Sequence, residues 1–216
     1  MTATEVWESL DAGWRASLEE AWVSWCGGSA GVGAAIVDRD GVVVARDRNR
    51  RLDRWQPEAL TGSRIAHAEM CAISSVPGDC FDDYTLYTTF EPCLMCASAI
   101  MMCNIRRVHY AAADPVFDGM NDWFRALPFT ASRLPERTCL GGPIGAFAHV
   151  LHLSWIAFWL PTASALEPHR KLAPRHLEVA LELVEASDLG AIAAAGGGVT
   201  EAIDALWPDL VALGAP

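Results

Sequence analysis

Between residues 33 and 113 the chain alternates short β-rich runs with short apolar helical runs, and this order constrains its fold more than any other feature. "GAAIVD" and "GVVVAR" meet around Asp40-Gly41, and Asp-Gly between apolar runs predicts a β-hairpin. "AHAEMCAISSV" (66–76) reads as a helix that stops at Pro77, and "YTLYTTF" (84–90) alternates as a strand. "PCLMCASAIMMC" (92–103) reads as a second helix and "RRVHYAAA" (106–113) as a further strand. Strands alternating with short helices predict an α/β fold, a sheet covered by helices.

Outside this segment the pattern is helical. Residues 1–26 read as one amphipathic helix, because Trp7, Leu10, Trp14, Leu18, Trp22 and Trp25 recur at three- and four-residue steps. Thr2 with Glu5 forms a capping-box pattern at its start. The glycines of "CGGSAGVG" end it; no strand precedes them and their spacing is wrong for a dinucleotide fingerprint. Beyond about residue 115 strand signals fade, and helical stretches follow at roughly 144–160, 174–187 and 200–211. The expected division is an α/β domain over 1–140 and a helical extension over 141–216, packed on that domain or on a second subunit.

Totals exclude several classes. An apolar share of 52% over 216 residues suits a folded chain with a full core. The opening "MTATEVWESL" lacks a basic segment followed by an apolar run, so no secretory signal is expected. The longest greasy stretch, "IGAFAHVLHLSWIAFWL" (144–160), carries two histidines and falls short of a span of about 20 apolar residues. A cytoplasmic, membrane-free protein is expected. Seven scattered cysteines, Cys80 among them, suit a reducing compartment where thiols are small hydrophobes or metal ligands. The formal charge of −11, with Lys171 the single lysine, works against a polyanionic partner. The arginine-rich "RDRNRRLDR" (46–54) is either a solvated hairpin end or a phosphate contact.

The residues that carry chemistry stand at two predicted helix starts. His67 and Glu69 lie in "AHAE", and Cys93 and Cys96 in "EPCLMC". Thiols three residues apart share a helix side, as metal ligands or as ordinary buried cysteines. With both helix N-termini at one sheet edge, His67, Cys93 and Cys96 would supply one imidazole and two thiolates to one ion. Zinc suits that set, and three protein ligands leave a fourth position for water. The partial positive charge of helix N-termini favours thiolates there. Glu69, two residues from His67, points elsewhere, but can take a proton from such a water and pass it to a substrate nitrogen. The expected chemistry is hydrolytic removal of an amino group from an amidine-like carbon. The rival is a closed structural zinc site in which Cys71, four residues after His67, is the fourth ligand.

H-x-E followed by P-C-x-x-C is the recognised signature of zinc deaminases. Through "AHAEM" and "TLYTTFEPCLMCASAI" the chain resembles the cytidine-deaminase-like superfamily, in its branch of guanine, cytosine and tRNA-adenosine deaminases, over roughly residues 30–115. The resemblance implies a three-layer α-β-α fold with a mixed sheet of about five strands, usually in homodimers. It implies one Zn2+ per chain on His67, Cys93 and Cys96, with Glu69 as proton shuttle. Asn49 matches the asparagine that holds the base, or else caps a turn. Asp114, in "YAAADP", matches an acidic position near the pocket, or else starts a turn. Ala68 is counted with the substrate contacts, and Trp123 and Phe124 are candidates to stack on a planar base.

Two substrate classes compete. A small amino-substituted heterocycle (nucleobase, nucleoside or related metabolite) needs no basic approach surface, and the helical tail could close over it. An anticodon loop needs a basic, aromatic surface, and only residues 46–54 offer one. The small heterocycle is therefore favoured, with tRNA adenosine-to-inosine deamination as the alternative and a non-catalytic structural-zinc module as the second.

Overall fold

The structure, a computed structural model, describes residues 1–78, 81–186 and 188–215; Cys80 lies outside them. The N-terminal segment forms two helices, α1 (Ala3–Ser9) and α2 (Ala12–Cys26), rather than one. Asp11 makes the break: its carboxylate accepts the Trp14 N–H at 3.0 Å and so caps a new helix. The capping box forms as its pattern implies, with Glu5 N–H donating to Thr2 Oγ1 at 3.2 Å and Thr2 N–H to Glu5 Oε2 at 2.8 Å.

The alternating segment folds in the expected order: β1 (Gly33–Val37), β2 (Val43–Arg48), α3 (Ala68–Ser75), β3 (Thr85–Phe90), α4 (Leu94–Met102) and β4 (Arg107–Ala112). After a 3-10 turn at Pro115–Phe117 come α5 (Met120–Arg125), α6 (Pro128–Ala131) and β5 (Glu136–Cys139). The sheet order is β2-β1-β3-β4-β5. β1 runs antiparallel to β2 and β3, while β3, β4 and β5 run parallel. This is the mixed five-stranded sheet between helical layers. β5, Glu-Arg-Thr-Cys, escaped the sequence reading because an exposed edge strand of polar residues has no hydrophobic alternation to detect. Parallel β3 and β4 put their carboxyl ends at one edge, the usual place for a site in such sheets.

Helix α2 packs closely on β1, and a glycine makes that possible. A Cβ added to Gly33 would collide with the Ser17 carbonyl oxygen, a backbone atom that cannot rotate away. Gly33→Ala should therefore lower stability by about 1–3 kcal/mol through overpacking, read as a fall in the urea midpoint. An unchanged midpoint would mean that α2 shifts freely on the sheet.

The later helices are α7 (Gly142–Trp159), α8 (Leu166–Leu172), α9 (Pro174–Ala186), α10 (Asp188–Ala194), α11 (Val199–Ala205) and α12 (Trp207–Leu213). The stretch expected as one helix at 200–211 is two, with Pro208 in the first turn of the second. Phe147, Leu151 and Leu153 of α7 are fully buried in the same core as Ile36 and Leu86 of the sheet. Three indoles tie these helices to the N-terminal segment: Trp22 Nε1 donates to the Gly197 carbonyl at 2.8 Å, Trp25 Nε1 to Ser154 Oγ at 3.0 Å, and Trp155 Nε1 to the Gly28 carbonyl at 2.7 Å. Among the described residues no helix is long and apolar enough to cross a membrane.

Candidate active site

Both motif helices begin one residue past a site residue. His67 is the N-cap of α3 and Cys93 the N-cap of α4, and neither side chain makes the capping hydrogen bond usual at that position. Each side chain is thus free to point off its helix end. Pro92, after β3 and the Glu91 corner, keeps the chain extended, so α4 starts at Leu94 rather than at residue 92.

The two helix ends meet. His67 Nδ1 lies 3.6 Å from Cys93 Sγ and 3.6 Å from Cys96 Sγ, and the sulfurs are 3.6 Å apart. Zinc–sulfur bonds of about 2.3 Å and zinc–nitrogen bonds of about 2.0–2.1 Å at tetrahedral angles put ligand atoms roughly 3.5–3.8 Å apart. The triangle fits zinc. Among the described residues this trio is the group whose donor atoms could hold an ion. Cys71, the fourth ligand of the structural-zinc alternative, instead turns its thiol to the Leu60 carbonyl at 3.4 Å. Its distance from the trio follows from α3 itself, which carries Cys71 a full turn away from the helix end that holds His67.

Glu69 is buried at 3% exposure, and its Oε2 accepts from Cys96 Sγ at 3.4 Å. Burial, then the nearby Cys93 charge, pushes its carboxyl up to about 7. A hydrogen bond with Cys96 is the largest cause that holds the Cys93 thiol down at about 4, while the same bond and burial raise Cys96. For His67, burial opposes protonation, but the contact with Cys93 and the Glu69 charge outweigh it and raise the imidazole.

These residues face a cavity of about 230 Å³. Asn49 and Asp114 line it too, and both also do the local work that was the simpler reading. Asn49 Oδ1 accepts the Arg51 N–H at 3.1 Å, and Asp114 Oδ1 accepts the Val116 N–H at 2.9 Å. Burial lifts Asp114 to about 6. Ala68, the first residue of α3, is wholly buried and is not part of the cavity wall.

Trp123 and Phe124 are corrections: neither reaches the cavity. Their helix, α5, packs Phe124 with Met101 and Met120 in a small separate core and leaves Trp123 62% exposed. The aromatic lining comes from Phe90 and Phe117 instead. Sequence reasoning also missed Glu91, His152 and His169. Glu91 is neutralised by Arg137 at 2.6 Å and accepts the Asp114 N–H at 2.9 Å, which fixes the corner beside the cavity. His152 and His169 come from α7 and α8. The one available signal was that His149 and His152 stand three residues apart, on one side of a very apolar helix.

Known proteins resemble this chain in sequence and fold. The chain matches the cytidine and deoxycytidylate deaminase zinc-binding region over residues 8–112. It is 32% identical over 99 residues to a cytosine deaminase of Candida albicans, spanning 44% of this chain and 61% of that enzyme, short of two thirds of its length. It is 34% identical over 125 residues to a tRNA-specific adenosine deaminase of Streptococcus pyogenes, spanning 56% of this chain and 72% of that one. A solved guanine deaminase from Nitrosomonas europaea shares the fold, with a TM-score of 0.50 at 20% identity over 68% of this chain and 86% of that one. The chain belongs to the zinc-binding cytidine and deoxycytidylate deaminase family, whose class is the hydrolytic deaminases.

Proposed function

We propose that this protein is a zinc-dependent deaminase that releases ammonia from a small, unphosphorylated amino-substituted heterocycle. One observation carries the reading: the His67–Cys93–Cys96 triangle, with buried Glu69 beside it, opens on a cavity of about 230 Å³ whose wall, among the described residues, contains no lysine or arginine. That volume is below the range of about 300–1,000 Å³ usual for drug-sized ligands. His67, Cys93 and Cys96 would hold the zinc, which when bound would make water a nucleophile at neutral pH. Glu69 takes the proton that the attacking water sheds and delivers it to substrate nitrogen, so that the amino group leaves as ammonia and the ring carbon keeps the oxygen. Asn49 has its oxygen spent on Arg51 N–H, which leaves its amide nitrogen to donate to a ring carbonyl or ring nitrogen.

The same wall argues against a phosphate. Glu69 and Asp114 line the cavity beside the Arg137-paired Glu91, and the chain carries a net charge of −11. A phosphate would add about 1.5–2 negative charges there. Three of the five arginines in the run 46–54 are paired: Arg48 and Arg50 share Asp53 at 2.8 and 3.3 Å, and Arg46 pairs with Glu19 at 2.7 Å. Those pairs weigh against an anticodon loop, although the identity to a tRNA deaminase keeps that substrate as the second reading. An ammonia-release screen over amino-purines, amino-pyrimidines, their nucleosides and 5′-monophosphates separates these. The expected result is a kcat/KM for each monophosphate at least about tenfold below that of its unphosphorylated parent, a cost of about 1.4 kcal/mol. Preference for a monophosphate, or inosine formation in tRNA with tight salt-sensitive binding, would reverse the ranking.

A further inference from the structure

The wall of the cavity away from the metal motifs is built by the later helices, which contribute His152 and Ile156 from α7 and His169 from α8. Most polar groups in the lining already have a task. Glu91 is held by Arg137 and by the Asp114 N–H. Asp114 Oδ1 accepts from Val116 and lies 3.6 Å from His169 Nε2. His169 Nδ1 is 3.0 Å from His149 Nε2. With burial holding His149 and His169 neutral, one proton order suits the whole row: His149 Nε2–H donates to His169 Nδ1, and His169 Nε2–H faces the Asp114 carboxylate. That row is complete in itself.

His152 is the exception. Its ring forms part of the cavity wall and packs on Phe90, with ring centroids 4.4 Å apart. Yet its Nδ1 is buried with no hydrogen-bond partner among the described residues. A buried polar atom left unpaired costs about 1–3 kcal/mol, and such groups in native proteins are few. An imidazole packed at a tilt on Phe90 in the cavity wall, neutral by burial and with a nitrogen unspent, has the features of a ligand contact.

We propose that His152 is a substrate-binding, specificity-determining residue, hydrogen-bonding a polar ring atom of an uncharged heterocycle, so that the C-terminal helices read the substrate that the zinc motifs convert. A neutral imidazole can donate or accept through its tautomers, which suits an uncharged nitrogen or carbonyl better than a phosphate. This rests on the deaminase reading above.

The test compares the wild type with His152→Leu, which keeps bulk and removes both nitrogens, and with His152→Asn, whose amide can replace Nδ1. Steady-state kinetics are measured on the best substrate of the ammonia screen, with binding of the panel followed by calorimetry and zinc per chain by mass spectrometry. The expected result for His152→Leu is a KM raised about 10- to 100-fold, a kcat within about threefold, full zinc content, and partial recovery of KM in His152→Asn. An unchanged KM and affinity, or a loss confined to kcat, would overturn the assignment while leaving the deaminase intact. A zinc-loaded wild type that neither binds nor converts any panel member would overturn the deaminase reading and this one together. Should His152→Leu fail to fold, His152→Asn and His152→Gln carry the same comparison, and wild-type KM in both would overturn the proposal.

Discussion

Glu69→Gln should lower ammonia release by about 10²–10⁴-fold, the usual worth of a positioned general acid–base group, while zinc content and far-UV circular dichroism stay at wild-type values. The expectation follows from where α3 puts the residue. Glu69 is in the first turn, nearly inaccessible, and next to the metal ligands without being one of them. Burial raises its carboxyl, the direction that suits a group that must both take and return a proton near neutral pH. Glutamine has nearly the same shape and cannot exchange that proton. The measurement is kcat by a coupled ammonia assay beside zinc per chain; turnover within threefold of wild type would remove the shuttle role.

Cys96→Ala should abolish both metal binding and turnover, from one zinc per chain to none. Cys96 is fully buried, and its sulfur is one corner of the 3.6 Å triangle. Two donors left on one side of an ion cannot complete the tetrahedral set that zinc takes with nitrogen and sulfur ligands. The fold should survive, because the core runs from Leu18 and Ile36 through Leu86 to Phe147 without needing the metal. Chelation should likewise silence the wild type and leave its circular dichroism unchanged, with activity restored by added Zn2+. Unfolding on chelation would instead mark a structural zinc. That outcome would sink the catalytic reading.

The grouping of His67, Cys93 and Cys96, the place of Glu69 beside them and the order of β1 to β4 were legible because each is signalled locally: a hairpin turn, alternating strands, and two short motifs at helix starts. What was missed depends on contacts that local pattern does not encode. The break between α1 and α2 rests on one capping aspartate inside an unbroken apolar stripe. β5 exists because β4 offers it a parallel edge, and its own residues carry no strand period. Trp123 and Phe124 followed the last predicted strand, but their helix packs toward Met101 instead of the cavity. The histidine wall is the sharpest case. His152 and His169 become neighbours of Asp114 only once α7 is buried against the sheet.

The His67–Cys93–Cys96 trio lies upstream in the polypeptide, whereas part of the cavity wall beside it, His152, Ile156 and His169, comes from far downstream. Such a layout lets inheritance revise one without disturbing the other. Exchanging the tail between related chains should transplant taste for a ring without touching the ability to strip its nitrogen.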